Sequence, residues 1–386
     1  MNKSRSPLLI LPLLLSSTLH AKEFDFSRYF SIQDKETPGC GIGVIKSNKL
    51  VDQYYVGQSS IKYQIPIDNK TVFDIGSVSK HMTAYVIMSL EIEGKLSQTQ
   101  TLADFYKEGP DWFNSVTLSH LMNHQSGIPD YLNNEKAALY LMQRFKNNNA
   151  ELHNALWGGM VDKAFMFSEI VEYSKQLNAP TFTPGTSISY SNTGYVLLAD
   201  IIEKITGYKF EEVIERRIFT PLKMNSSQAS GPNNFILEWK ASSYYVDKYG
   251  NYAHSHSALP VQGDGGIQST VPDMGKWIGH LIKPQYEDKA RLKLLALSQG
   301  EHPIFTPYSG ASEFKMGDSK YVNGLIANDL YDGEFYSHSG YSLDGMVTEF
   351  WFSPQQEIGY IQMCNYKYLR MPPMEKIVQH YIMQSK

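Results

Sequence analysis

The chain has 386 residues, of which 42% are hydrophobic and 19% are charged, and its formal net charge is −4. This balance is typical of a globular protein and excludes a disordered or fibrous one. The sequence contains no dense stripe of Lys or Arg that could neutralise a run of phosphates, so no nucleic-acid partner is predicted.

The first 21 residues have the layout of a cleavable secretory signal peptide. Lys3 and Arg5 precede an almost wholly apolar run at 7–15, and small residues lead to a plausible cleavage position at Ala21. That run is too short for a spanning helix, and no later stretch has the necessary apolar length, so no stable membrane span is expected. We therefore predict a periplasmic or secreted protein, with an uncleaved anchor as the alternative.

Strand patterns follow the predicted signal peptide and return near the end of the chain. Residues 41–45 and 50–56 flank a turn and predict an N-terminal hairpin, and 346–352 and 358–363 predict a second pair of strands. Between the two pairs, residues 82–92 are nearly free of charge. A helix that is apolar on all sides is a buried helix, so this segment should pass through the middle of the molecule.

The stretch from about 101 to 262 is dominated by helical patterns. Its clearest helix covers 195–205, and Gly207 follows at the position where glycine commonly ends a helix. Strands at both ends with helices between them predict an α+β fold, in which an antiparallel sheet is flanked by helices and a mainly helical domain is inserted.

Two domains follow from this pattern. Residues 22–100 and 265–386 should form the sheet domain, and residues 101–264 should form the helical domain. Pockets usually form between such units, so the active site is expected between them.

Ser77 and Lys80 lie at the start of the predicted buried helix. Residues three apart share one helix face, so the hydroxyl and the amine should point into the same space. A serine needs a base to take its proton, and burial favours the uncharged amine that could act as that base. The motif alone is weak, because a capped helix with a surface lysine has the same pattern.

Two later motifs carry side chains that could reach a cleft. Tyr190 and Asn192 precede the amphipathic helix, and a phenol can act as a base while an amide can hold a substrate carbonyl or N–H. His338 and Gly340 precede the strand that starts near Met346, and glycine allows a close approach of a substrate backbone. Each motif in isolation is equally typical of a polar turn.

Taken in order, these motifs resemble those of the β-lactamase-related serine hydrolases. That branch contains class C β-lactamases, D-Ala-D-Ala carboxypeptidases, D-aminopeptidases and related esterases. The similarity covers essentially the whole mature chain and includes segments 73–80, 118–130 and 263–270. It implies the β-lactamase/transpeptidase-like fold and hydrolysis through an acyl-enzyme. No cofactor is expected, and no metal either, because His120 and His124 have helical spacing but no evident third ligand.

The resemblance also implies a role for each catalytic side chain. Ser77 would be acylated, and Lys80 and Tyr190 would share the work of the general base. Tyr190 would then return the proton to the leaving group, and Asn192 would hold the acyl side of the substrate. The backbone N–H groups of Ser77 and Tyr341 would form the oxyanion hole.

His338 marks a departure from the class C enzymes, which have Lys-Thr-Gly where this chain has His338, Ser339 and Gly340. A histidine there resembles the carboxypeptidase and D-aminopeptidase members, and a charged His338 could meet a substrate carboxylate. The leading prediction is a peptidase or amidase on D-amino-acid peptides, of the D-Ala-D-Ala carboxypeptidase kind, with cell-wall peptides as candidate substrates. The alternatives are an esterase on small acyl esters, a weak β-lactamase and a penicillin-binding sensor.

Cys40 and Cys364 are the only cysteines. An exported chain permits a disulfide, but two buried thiols would suit the sequence equally well. The resemblance places their strands side by side, so their Cα atoms should lie within the 7 Å or so that a disulfide needs. The pairing stays open.

Overall fold

The described residues of the computed structural model are 24–29, 36–147, 163–229, 237–255, 262–296, 319–331, 333–342, 344–366 and 374–382. The predicted signal peptide, residues 1–21, lies outside the described residues. None of the helices within these ranges is both long enough and apolar enough to cross a membrane.

Fourteen strands occur in these ranges, and seven of them form one antiparallel sheet. They are β1 (Cys40–Lys46), β2 (Lys49–Val56), β3 (Gln58–Ser60), β4 (Ile65–Pro66), β5 (Phe73–Asp74), β6 (Gln228–Ala229), β7 (Ser243–Val246), β8 (Tyr252–Ser255), β9 (Ile267–Ser269), β10 (Lys320–Val322), β11 (Leu325–Leu330), β12 (Gly333–Tyr341), β13 (Val347–Ser353) and β14 (Ile358–Cys364). The main sheet has the order β10–β11–β12–β13–β14–β1–β2. The N-terminal hairpin therefore completes a sheet built mostly from the C-terminal part of the chain, as predicted.

Eleven α-helices occur in the same described ranges. They are α1 (Ser79–Ile92), α2 (Leu102–Phe105), α3 (Leu118–Met122), α4 (Glu135–Asn147), α5 (Lys163–Lys175), α6 (Asn192–Thr206), α7 (Phe210–Ile214), α8 (Thr220–Leu222), α9 (Val271–Ile282), α10 (Lys289–Leu295) and α11 (Met374–Ile382). Gly207 ends α6 in a left-handed conformation, with φ of 72°. The predicted α+β architecture is confirmed, while the exact domain limits at 100/101 and 264/265 stay predictions.

The two faces of the main sheet pack into two separate hydrophobic clusters. Side chains alternate along a strand, so neighbours on β13 point to opposite faces. Phe350 and Phe352 join the larger cluster with Trp277 of α9, whereas Trp351 joins Val378 of α11 on the other face. The helix α1 lies within the larger cluster and is buried along most of its length, as its lack of charge predicted.

Cys40 and Cys364 face each other across the pair of strands β1 and β14. Their Cα atoms lie 4.1 Å apart and their side chains form a disulfide. The structure thus has the disulfide, one of the two alternatives that the sequence left open. It joins the first and the last strand in chain order, which are neighbours in the sheet.

Candidate active site

Ser77 lies in a single 3₁₀ turn, Gly76–Val78, directly before α1. Gly76 has a φ of 52°, a left-handed conformation that glycine adopts without strain. The Asp74 carboxylate accepts a hydrogen bond from the Gly76 N–H at 2.8 Å and so fixes the turn. The Ser77 hydroxyl is therefore presented at the N-terminal end of α1, where the helix dipole favours negative charge.

Lys80 is fully buried, and three oxygen atoms surround its side-chain nitrogen. Nζ lies 3.0 Å from Ser77 Oγ, 2.7 Å from Asn192 Oδ1 and 2.5 Å from the carbonyl oxygen of Asp264. An ammonium has three donors and no acceptor, so this environment satisfies the charged form completely. As a cation in this geometry Lys80 would stabilise a Ser77 alkoxide, and its share in the general-base role expected from the sequence stays a prediction.

The Tyr190 ring lies beside the Lys80 ammonium. Nζ is 5.0 Å from the centre of this ring and 5.6 Å from the centre of the Tyr195 ring. Tyr190 is half-buried, and within the described part of the chain its hydroxyl has no hydrogen-bond partner. The phenol therefore lies next to the Lys80 ammonium, and the base role expected from the sequence stays a prediction.

His338 lies inside strand β12 and is buried. Its Nδ1 lies 2.7 Å from the carbonyl oxygen of Ser339, and its Nε2 lies 3.0 Å from the Tyr321 hydroxyl. A carbonyl only accepts, so Nδ1 carries a proton and donates to Ser339, while Nε2 shares a hydrogen bond with the Tyr321 hydroxyl. Burial, helped by the nearby Lys80 charge, lowers the pKa of His338 to about 3. Burial therefore favours the neutral ring, and the charged His338 considered from the sequence stays a prediction.

Gly340 brings strand β12 into close contact with the turn that carries Ser77. A Cβ atom at position 340 would lie 1.9 Å from the carbonyl oxygen of Ile75 and 3.1 Å from the backbone nitrogen of Val78. No side chain larger than hydrogen fits there. The glycine that the sequence suggested for a substrate contact is required first for the contact between strand and turn.

The Tyr341 N–H points from β12 towards the same turn. Ser342 N–H donates to the Met346 carbonyl at 3.0 Å, and opposite residues of an antiparallel pair alternate between bonded and non-bonded pairs. Tyr341, opposite Val347, is then in a non-bonded pair, so its N–H points away from β13. The gap between Tyr341 and Ser77 is where the predicted oxyanion hole would lie, and that role stays a prediction.

Three polar residues at the site had no role in the sequence-based prediction. His124 is fully buried, and its Nδ1 accepts from the Ser191 N–H at 3.1 Å. Asp264 accepts from the Tyr131 hydroxyl at 3.0 Å, and burial raises its pKa to about 6. His124 and Asp264 lie in segments that carried the family resemblance, which was their only signal. Tyr321 had none, since it is one of 26 scattered tyrosines.

Comparisons with known proteins agree with this arrangement. A model of the Beta-lactamase family matches residues 26–379. The D-aminopeptidase of Brucella anthropi is 25% identical over 339 residues, which are 87% of this chain and 57% of that protein. Penicillin-binding protein 4* of Bacillus subtilis (strain 168) is 28% identical over 299 residues, 74% of this chain and 58% of that protein. The chain thus spans little more than half the length of these curated relatives.

A solved structure has the same fold. The octameric penicillin-binding protein homologue from Pyrococcus abyssi superimposes with a TM-score of 0.70 at 25% identity. The match covers 92% of this chain and 74% of that one. The main sheet, the helices and the cleft between them are therefore arranged as in a solved protein.

Proposed function

Since the chain belongs to the Beta-lactamase family, as its motifs indicated, we propose that it is a serine hydrolase in which Ser77 forms an acyl-enzyme. The observation that carries the proposal is the 3.0 Å contact between Ser77 Oγ and the fully buried Lys80 Nζ. Next to this contact lies the gap between the Ser77 and Tyr341 backbones. A stabilised nucleophile beside two oxyanion donors is the arrangement that acyl transfer needs.

The proposed reaction has two steps with Tyr190 as the base. Tyr190, as a phenolate stabilised by the Lys80 ammonium, takes the Ser77 proton while Ser77 Oγ attacks the substrate carbonyl, whose oxygen becomes negative in the gap. The carbon–nitrogen bond then breaks and Tyr190 returns the proton to the leaving amine. In the second step a water molecule attacks the acyl group, Tyr190 again relays the proton, and the acid is released with Ser77 restored. The Lys80 charge stabilises each anionic state.

D-amino-acid amides and peptides are the proposed substrates. One relative is named a D-aminopeptidase, which supports this class. The neutral His338 removes the group that would have held a terminal carboxylate, so we favour an aminopeptidase or amidase over a carboxypeptidase. The same observation supports a second candidate, an esterase on small acyl esters, because an ester has no carboxylate to hold.

The pH dependence of KM tests this choice of substrate. We expect KM for a peptide ending in D-Ala-D-Ala to show no rise from His338 between about pH 5 and 8, where an ordinary histidine loses its charge. The pKa of His338 is lowered to about 3, so the ring is already neutral across that window. Steady-state kinetics with D-alanine p-nitroanilide, N-acetyl-D-Ala-D-Ala, p-nitrophenyl acetate and nitrocefin would measure both KM and preference.

The relative kcat/KM values for these four substrates separate the candidate functions. The highest kcat/KM for the D-alanine anilide supports the aminopeptidase or amidase, and the highest value for the acetate ester supports the esterase. A KM that climbs with pH for the carboxylate-ended peptide alone would restore a cationic His338 and the carboxypeptidase. Nitrocefin should be the poorest substrate.

Export is also proposed. The first 21 residues support it, and so does the disulfide, because reducing compartments keep cysteines as free thiols. We expect protein recovered from the periplasm or the medium to begin at Lys22. Its intact mass should be two hydrogen atoms below that of the reduced chain, owing to the bond between Cys40 and Cys364. Mass spectrometry with and without reductant measures both features. A chain that retains residues 1–21, or two free thiols, would contradict the proposal.

A further inference from the structure

Asp130 lies against the Asn192 side chain, on the side opposite to Lys80. Its Oδ1 accepts from the Asn192 backbone N–H at 3.1 Å and from Nδ2 at 3.0 Å, and its Oδ2 lies 3.2 Å from the same Nδ2. On the other side, Asn192 Oδ1 accepts from Lys80 Nζ at 2.7 Å. Asn192 is buried, and its amide bridges the half-buried Asp130 carboxylate and the buried Lys80 ammonium.

The two charged partners allow one orientation of this amide. A free asparagine can rotate its amide by half a turn and exchange the oxygen with the nitrogen. Lysine offers donors alone and a carboxylate offers acceptors alone. A rotated Asn192 would turn its NH₂ group towards the Lys80 ammonium and its oxygen towards the Asp130 carboxylate, and both hydrogen bonds would become repulsive contacts.

We infer that Asp130 is a positioning residue, which locks the Asn192 amide with its oxygen on Lys80 and so holds the Lys80 ammonium against Ser77. The inference rests on the proposed function and extends it by one residue that never needs to touch the substrate. It also assigns Asn192 a task within the protein, since both ends of its amide are engaged before a substrate arrives.

Other groups near Lys80 do not replace this lock. The titratable groups that face Lys80 from the neighbouring elements are His124, Tyr190, Tyr195, Asp264 and His338. Burial holds the pKa of both histidines far below the ordinary value. Asp264 reaches Lys80 through its backbone carbonyl, while its carboxylate accepts from Tyr131. None of these described groups forms a hydrogen bond with the Asn192 side chain, whereas Asp130 accepts from its amide nitrogen.

The test is the rate at which a fluorophosphonate probe labels Ser77. The probe needs the activated hydroxyl but no particular substrate pocket. For Asp130→Asn we expect the maximal labelling rate to fall by about tenfold or more, the scale of a hydrogen bond to a charged group. The probe concentration for half-maximal rate should stay the same, because Asp130 does not bind the probe. Asp111→Asn, at an exposed carboxylate on the 3₁₀ turn Asp111–Ser115, is the matched control and should label like the parent.

A reciprocal swap separates positioning from general stability. Asn192→Asp alone places a second carboxylate beside Asp130 and should also slow labelling. The double variant, Asp130→Asn with Asn192→Asp, again has an acceptor facing Lys80 and an amide donor behind it. We expect it to label faster than either single variant, by about tenfold, with thermal midpoints that do not follow the same order.

Three results would overturn the inference. They are parental labelling by Asp130→Asn, additive losses in the double variant, and rates that merely follow the melting temperatures. None of these would damage the proposed function, which depends on Ser77 itself. Labelling at another residue would overturn the proposed function and, with it, the inference that rests on it. Intact-protein and peptide mass spectrometry on the parent therefore come first.

Discussion

Replacing Ser77 by alanine is expected to abolish covalent labelling and to lower turnover by at least about ten thousand-fold, the scale seen when a serine hydrolase loses its nucleophile. The reason is geometric. Ser77 Oγ contacts the Lys80 ammonium at 3.0 Å and borders the gap lined by the Tyr341 backbone. In the alanine variant a water molecule would have to attack the substrate directly. The reaction would then lose the acyl-enzyme intermediate, which divides one difficult step into two easier ones. A fluorophosphonate or penicillin probe followed by intact-mass spectrometry measures the adduct.

Ser79 provides the matched control two residues away. It is fully buried, and its hydroxyl accepts a hydrogen bond from the Ile267 N–H at 3.3 Å, so it is engaged elsewhere. Ser79→Ala should therefore keep the adduct, although it loses one buried hydrogen bond and some stability, about 1 kcal/mol. An adduct that persists in Ser77→Ala, or that disappears in a folded Ser79→Ala, would show that the nucleophile lies elsewhere.

The features that depend on local spacing were predictable from the sequence. Ser77 and Lys80 are three residues apart at the head of an apolar helix, and three-residue spacing brings side chains together whatever the rest of the fold does. The helix end at Gly207 and the strands at both ends of the chain are local in the same sense. The family resemblance built on these motifs is confirmed by the match over residues 26–379.

The charge state of His338 could not be predicted in this way. It depends on burial and on the hydroxyl of Tyr321, which belongs to another strand of the sheet. The sequence showed a polar triplet ahead of a strand, where an exposed histidine would titrate normally. The structure instead places His338 inside β12, where burial lowers its pKa.

The orientation of Asn192 and the disulfide were beyond the sequence for a related reason. Each depends on one contact between distant segments: Asp130 with Asn192, and Cys40 with Cys364 across 324 residues. A pattern of residue types can suggest such partners, but it does not give the distance between them in the folded chain. Both outcomes required the packed sheet and the packed helices together.

Replacing Gly340 by alanine is expected to lower turnover by about a hundred- to a thousand-fold, the scale of losing one oxyanion donor. The new Cβ would lie 1.9 Å from the Ile75 carbonyl oxygen. Because that atom belongs to the backbone, no side-chain rotation can relieve the clash, and β12 must move away from the turn that carries Ser77. The Tyr341 N–H moves with it. Kinetics on p-nitrophenyl acetate, together with the thermal midpoint, would measure the loss of activity and of stability.

Gly194→Ala is the matched control, because the structure has room for a Cβ atom at this position. A Cβ at Gly194 would lie 3.6 Å from Leu121 Cδ2, an ordinary van der Waals contact, and the residue is in the first turn of α6 close to Tyr190. Alanine is favoured over glycine in a helix by up to about 1 kcal/mol, so Gly194→Ala should keep parental activity with an equal or higher midpoint. A folded Gly340→Ala that labels Ser77 at the parental rate would mean that the separation of β12 from the turn does not control acylation. A loss shared equally by both variants would mean that any added methyl group near the cleft is harmful, and the strand contact would lose its special role.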